Sequence, residues 1–65
     1  MNRIREKREN LGLTQVKLAI MAGLANTIVS DFELNKRQPW PRARRALARV
    51  LKCREIDLFP DDFKK

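Results

Sequence analysis

Histidine and tyrosine are absent from this 65-residue sequence, cysteine occurs once, at Cys53, and glycine only twice, at Gly12 and Gly23. A single thiol cannot close an internal disulfide, and without histidine a zinc-finger ligand set cannot be assembled. The same gaps remove the usual acid–base and nucleophile pairs. With no carboxylates clustered beside a base and no Gly-rich phosphate loop, neither enzymatic activity nor a cofactor or metal site is expected. Aromatic rings are confined to Phe32, Trp40, Phe59 and Phe63, too few for a platform that stacks single-stranded bases. No stretch approaches the length of apolar residues that a membrane-spanning helix needs. The charged opening "MNRIREKREN" has no apolar signal region, so a cytoplasmic protein is expected.

What the sequence has in excess is positive charge: fifteen Lys and Arg against eight Asp and Glu, a net +7. That balance favours a polyanionic partner. The length allows one domain at most. A chain this short buries only about 60% of its unfolded surface, and a core of this size rarely supplies more than about 3–5 kcal/mol. Efficient helix packing or self-association is left to stabilise it.

No alternating apolar pattern is long enough for a strand, and no repeat, linker or low-complexity tract interrupts the chain, so the fold class is all-α. A polar helix is expected from Asn2 to about Asn10, with Ile4 and Leu11 on its inner side. Gly12 can take the left-handed conformation that ends a helix, with Leu13 folding back, and Thr14 caps the next. Lys17 stands where a capping box would need Glu or Gln. The second helix runs from about Gln15 to Ala22; at about 100° per residue Leu18, Ala19 and Ala22 share a face, and Gly23 ends it. The third runs from about Asn26 to Leu34, with Ala25, Val29 and Phe32 inward, Ile28 marginal, and Thr27, Ser30, Asp31 and Leu34 outward. Asn35 can adopt the left-handed turn that follows. "KRQPWP" is an extended connection, and Pro41 suits the first position of a fourth helix reaching about Leu51. There Ala43, Leu47, Val50 and Leu51 are buried and Arg42, Arg45, Arg49 and Lys52 lie opposite. "CREIDLFP" makes a short last helix anchored by Ile56 and Phe59, and 61–65 reads as a tail after a 1–60 domain.

Two short helices joined by a tight glycine turn, the second amphipathic, fit a helix-turn-helix. The stretch "IREKRENLGLTQVKLAIMAGLANTIVSDFELNKRQPWP" resembles the repressor/Cro type of helix-turn-helix (lambda-repressor-like) domain, over nearly the whole chain. Its landmarks are Arg8, the "LGLTQ" entry, Leu18-Ala19, Gly23, Val29-Ser30, Glu33 and the proline before the fourth helix; their order and spacing make the match specific. The resemblance implies a compact five-helix bundle whose third helix enters the DNA major groove. By position it puts Asn26, Thr27 and Asp31 among base-reading side chains, and Gln15, Lys36, Arg37 and Arg42 against the DNA backbone. It also implies a structural ion pair between Arg8 and Glu33, the alternative being that Arg8 reaches phosphate. The sequence departs from the pattern at Ala25, where Ser or Thr is common, at Ile28, at Leu34, and at Lys52, where Gly or Asn is common.

The expected function is therefore a sequence-specific double-stranded DNA-binding transcription regulator, a repressor acting as a homodimer. Short polar side chains suit a helix that discriminates base edges, and positive charge belongs on the flanks where phosphates pass. The alternative is an antitoxin-like protein-interaction module on the same fold with a small protein partner; a third reading is RNA binding. Several features remain open between two roles. Cys53 is a core residue or a redox switch, and the Arg42–Arg45–Arg49–Lys52 stripe is a solvated face or a contact surface. Trp40 packs over the fourth helix or touches sugar-phosphate, and Val16 and Ile20 are incidental exposed apolar residues or a partner patch. For a dimer, Leu58, Phe59 and Phe63 are the first expected surface and Val16/Ile20 the second.

Overall fold

Four residues with left-handed backbone divide the chain into its helices. In the computed structural model, which describes residues 2–60, α1 spans Ile4–Asn10, α2 Gln15–Ala22, α3 Asn26–Glu33, α4 Pro41–Val50 and α5 Glu55–Leu58, with no strand among the described residues. Positive φ occurs at Gly12, Gly23, Asn35 and Lys52, each within two residues of the end of α1, α2, α3 or α4. At each, the next residue's amide reaches back five residues. Leu13 donates to the Arg8 carbonyl at 3.0 Å, Leu24 to Ala19 at 2.8 Å, Lys36 to Asp31 at 2.8 Å and Cys53 to Ala48 at 3.0 Å. This is the Schellman arrangement, which satisfies carbonyls a helix end would otherwise leave bare. Glycine enters it without strain and asparagine tolerates it, whereas Lys52 carries a Cβ into a region that disfavours one.

The helix starts are more varied. Thr14 caps α2, its hydroxyl accepting from the Lys17 amide at 3.1 Å. Helix α1 begins at Ile4 rather than Asn2, because the Asn2 side chain is engaged outside the helix: its Oδ1 accepts from the Ile4 amide and its Nδ2 donates to the Phe32 carbonyl at 2.8 Å. One asparagine thereby joins the start of α1 to the end of α3. At α5, the Asp57 carboxylate accepts from the Arg54 amide and guanidinium. Those bonds from Arg54 hold the Asp57 carboxyl below its ordinary range. The reciprocal half of a capping box is missing, since a guanidinium has nothing to accept with.

Burial follows the helical periodicity. Ile4, Leu18, Val29, Phe32, Leu47 and Leu58 are fully enclosed, and Ala19, Ala43, Ala48, Leu51 and Phe59 complete the core. Helix α2 packs on both α3 and α4, and α4 carries α5. Three residues expected inside, Leu11, Ala25 and Ile56, are exposed. Leu11 and Ala25 sit at helix boundaries, where the chain turns off the wheel. At the last helix, Ile56 and Phe59 would share a face only if the helix continued through residue 59. It stops at Leu58, Phe59 leaves with extended φ of −128°, and Leu58 and Phe59 enter the core together. The Arg3 amide donates to the Leu58 carbonyl at 2.9 Å, tying both ends of the fold. Leu58 and Phe59 are thus unavailable as a dimer surface; Phe63 and the expected tail lie outside the described residues.

Lys52→Gly is expected to raise stability by about 0.5–1 kcal/mol. The left-handed penalty of roughly 1–2 kcal/mol is relieved, offset in part by the freer unfolded chain. A rise in the urea midpoint at unchanged slope checks it.

Candidate nucleic-acid interface

Helix α3 has one face in the core and one in solvent. Val29 and Phe32 are buried and Ile28 half-buried against them. Asn26 and Thr27 are exposed, and Ser30 and Asp31 half-buried, on the other side. Thr27 and Asp31 are four residues apart and so stack one turn above the other. The N-cap of α3 is Ala25, which has no side-chain acceptor. The first amides of α3 are therefore capped by no side chain, at the end of the helix that carries partial positive charge.

The orientation of that face is set from the other end of α3. Glu33, its last residue, holds the Arg8 guanidinium in a two-pronged contact, Nε to Oε2 at 2.7 Å and Nη2 to Oε1 at 3.2 Å. The side chains are only 13% and 5% exposed, respectively for Arg8 and Glu33. Arg8 Nη1 donates to the Leu13 carbonyl at 2.9 Å, and Gln15 Nε2 donates to Glu33 Oε1 at 3.4 Å. The hydrogen bond from Arg8 to Glu33 strengthens the guanidinium's hold on its proton despite partial burial. One carboxylate therefore joins α1, α2 and α3.

The remaining candidate residues fall into two groups. Lys36, Arg37 and Arg42 are exposed around the loop after α3 and the first turn of α4. Arg37 is not free there: its Nε lies 3.6 Å from the Asp31 carboxylate, with both side chains partly in solvent. The left-handed turn at Asn35 folds the chain back on α3 and brings the two together. Thus a residue expected to read bases and one expected to follow the backbone form one ion pair. In the sequence, the Asn35 turn is the signal for this pairing. Gln15, expected toward phosphate, commits one amide hydrogen to Glu33. Trp40, the N-cap of α4, sets its ring edge-on to Phe32 at 5.5 Å and 72°, which links the start of α4 to α3 while the residue stays 43% exposed. Cys53 is half-buried and burial raises its thiol pKa, the opposite of what a reactive thiolate needs.

Among the described residues no group of acidic or sulfur side chains is arranged to hold a metal. No helix there is long and apolar enough to cross a membrane. A family model described as helix-turn-helix matches residues 4–58. No curated protein matches the chain.

Removing the charge of Glu33 leaves the largely buried Arg8 guanidinium without its counter-ion. Glu33→Gln is expected to cost roughly 3 kcal/mol, the lower end for breaking one side of a buried pair. The loss should persist in high salt, because a buried pair is screened little. Urea unfolding at two salt concentrations measures both features.

Proposed function

This chain belongs to the repressor/Cro-type helix-turn-helix family and is a DNA-binding domain, and from that premise we propose that it is a sequence-specific transcriptional repressor that occupies its operator as a homodimer in the cytoplasm. The observation that carries this reading is the solvent face of α3. It presents short polar side chains, Asn26, Thr27 and Asp31, while the flanking segment supplies Lys36, Arg37 and Arg42. An α-helix fits a major groove about 12 Å wide, and short side chains let its backbone come close enough to reach base edges.

Each residue then has a chemical role. Asn26 can bond adenine N6 and N7 together, and the Thr27 methyl packs on a thymine methyl. Asp31 accepts only, so it suits the N4 amine of cytosine. The contact with Arg37 reduces the repulsion between this carboxylate and nearby phosphates. Lys36 and Arg42 take phosphates directly. Gln15 retains a second amide hydrogen for a phosphate while the first stays on Glu33. Protein concentration or a protein partner sets the activity.

Selection of bound sites from random duplex DNA tests the reading. Two half-sites with centres about 34 Å apart are expected; a single asymmetric half-site at saturating protein removes the dimer. Asp31→Asn is expected to relax preference at one base pair per half-site by about 1–3 kcal/mol and to raise non-specific affinity. Lys36→Ala should weaken all sequences alike and lower the salt slope by about one. An unchanged base profile for Asp31→Asn would exclude Asp31 as a reader.

A further inference from the structure

Helix α4 carries exposed arginines that its own folding explains only in part. Arg42, Arg45 and Arg49 lie at i, i+3 and i+7 and are exposed. None of the three forms an ion pair with a described residue, whereas Arg44, between them in sequence, turns to Glu55 of α5 at 3.7 Å. Like charges three and four residues apart on one helix destabilise it by a few tenths of a kcal/mol each. A cation at the second residue of a helix also opposes its dipole. Isolated folding would be better served by other residues at Arg42 and Arg45, whereas Arg49, in the last turn, is favoured by the same dipole.

These arginines line one groove. It has a volume of about 690 Å³, between α4 and the end of α2, and Trp40 stands beside Arg42 along it. The remaining lining is small or aliphatic, from Ala22, Gly23 and Leu24 on the α2 side and Ala43 and Ala46 on the α4 side. Among the described residues, no acidic one lines it. The three charges span about 10.5 Å along the axis at 1.5 Å per residue.

We propose that the groove between α2 and α4 is a docking site for an acidic amphipathic helix of a second protein, whose carboxylates meet Arg42, Arg45 and Arg49 and whose small apolar side chains fill the slot between them. The charge pattern supports this occupant over the others. A second copy of this chain is itself at net +7, and its Asp31, Glu33, Glu55 and Asp57 are already paired with arginines. A DNA backbone would use the arginines but not the apolar floor, and Arg45 and Arg49 lie progressively farther along α4 from the loop assigned to phosphate. A helical ligand with carboxylates at i, i+3 and i+7 repeats the spacing of the arginines and buries apolar atoms against Ala22, Ala43 and Ala46. Arg42 is shared with the DNA surface, so docking and operator binding compete. That competition, and the place of the loop assigned to phosphate, rest on the DNA-binding reading above.

Trp40 is the only tryptophan in the chain and lies in the groove, so its fluorescence reports occupancy. The probe is a synthetic helical peptide of about 14 residues, roughly 21 Å long, with three Glu at that spacing among Ala and Leu. A scrambled peptide of the same composition is the control. The ordered peptide is expected to bind saturably, and the scrambled one about tenfold more weakly. Arg45→Glu with Arg49→Glu should cost the ordered peptide at least about tenfold, with far-ultraviolet circular dichroism confirming that the helices remain. If that variant is unfolded, Arg45→Gln with Arg49→Gln replaces it with the same expectation. Absence of binding, equal binding of the two peptides, or a variant that binds undiminished overturns the proposal. So does a variant whose duplex-DNA affinity falls with a salt slope lowered by about two, which would assign the stripe to phosphates. If the unaltered protein bound no duplex DNA, the DNA-binding reading would fail while the peptide titration still decided the groove.

Discussion

The contact between Arg8 and Glu33 is the constraint on which the exposed face of α3 depends. Glu33 is the last residue of α3, and its carboxylate is held by α1 through Arg8 and by α2 through Gln15. Arg8 in turn fixes the carbonyl of Leu13, the residue through which the chain passes from α1 to α2. Taking this pair out of water costs free energy that its mutual attraction only partly returns. Its consequence is geometric. A two-pronged guanidinium–carboxylate contact restricts distance and plane together, so it fixes how α3 rolls about its axis. That roll decides whether Asn26, Thr27 and Asp31 face outward as a set.

A second constraint comes from how little chain there is. The connections after α1 and α2 are very short, so each helix must stop sharply and the next must start at a set angle. The same left-handed turn does this four times, with glycine twice, asparagine once and lysine once. At Asn35 the turn has an effect beyond ending a helix, because it carries Arg37 back beside Asp31. The chain ends are fastened in kind: Asn2 to the end of α3, and the Arg3 amide to the Leu58 carbonyl. These bonds allow a core as small as this one to enclose Ile4 and Leu58 completely.

The excess of positive charge is not spread evenly. Part of the positive charge is matched locally, as in Arg5 with Glu9, Arg44 with Glu55 and Arg54 with Asp57. The solvent face of α3 carries no cation of its own, while the segment after it and the exposed side of α4 carry several. A helix that enters a groove gains from short neutral side chains, whereas segments facing phosphates or carboxylates gain from long cationic ones. The distribution separates a short polar face on α3 from the cationic surfaces beside it.

The number of helices, their class and their approximate ends were legible in the sequence, since apolar period and the residues that accept a left-handed backbone are properties of near neighbours. The matched family pattern also pointed to the partnership of Arg8 with Glu33 and to the polar face of α3. Tertiary structure alone decided the rest. That Leu58 and Phe59, not Ile56, enter the core depends on where a four-residue helix stops. The attachment of Gln15 to Glu33 depends on the distance between α2 and α3, and the pairing of Asp31 with Arg37 on the direction in which the Asn35 turn returns the chain. The groove between α2 and α4 exists only because two helices distant in sequence pack with small residues between them. Each of these is a relation between surfaces brought together by packing, and a one-dimensional pattern of residue types carries the surfaces without the angle at which they meet.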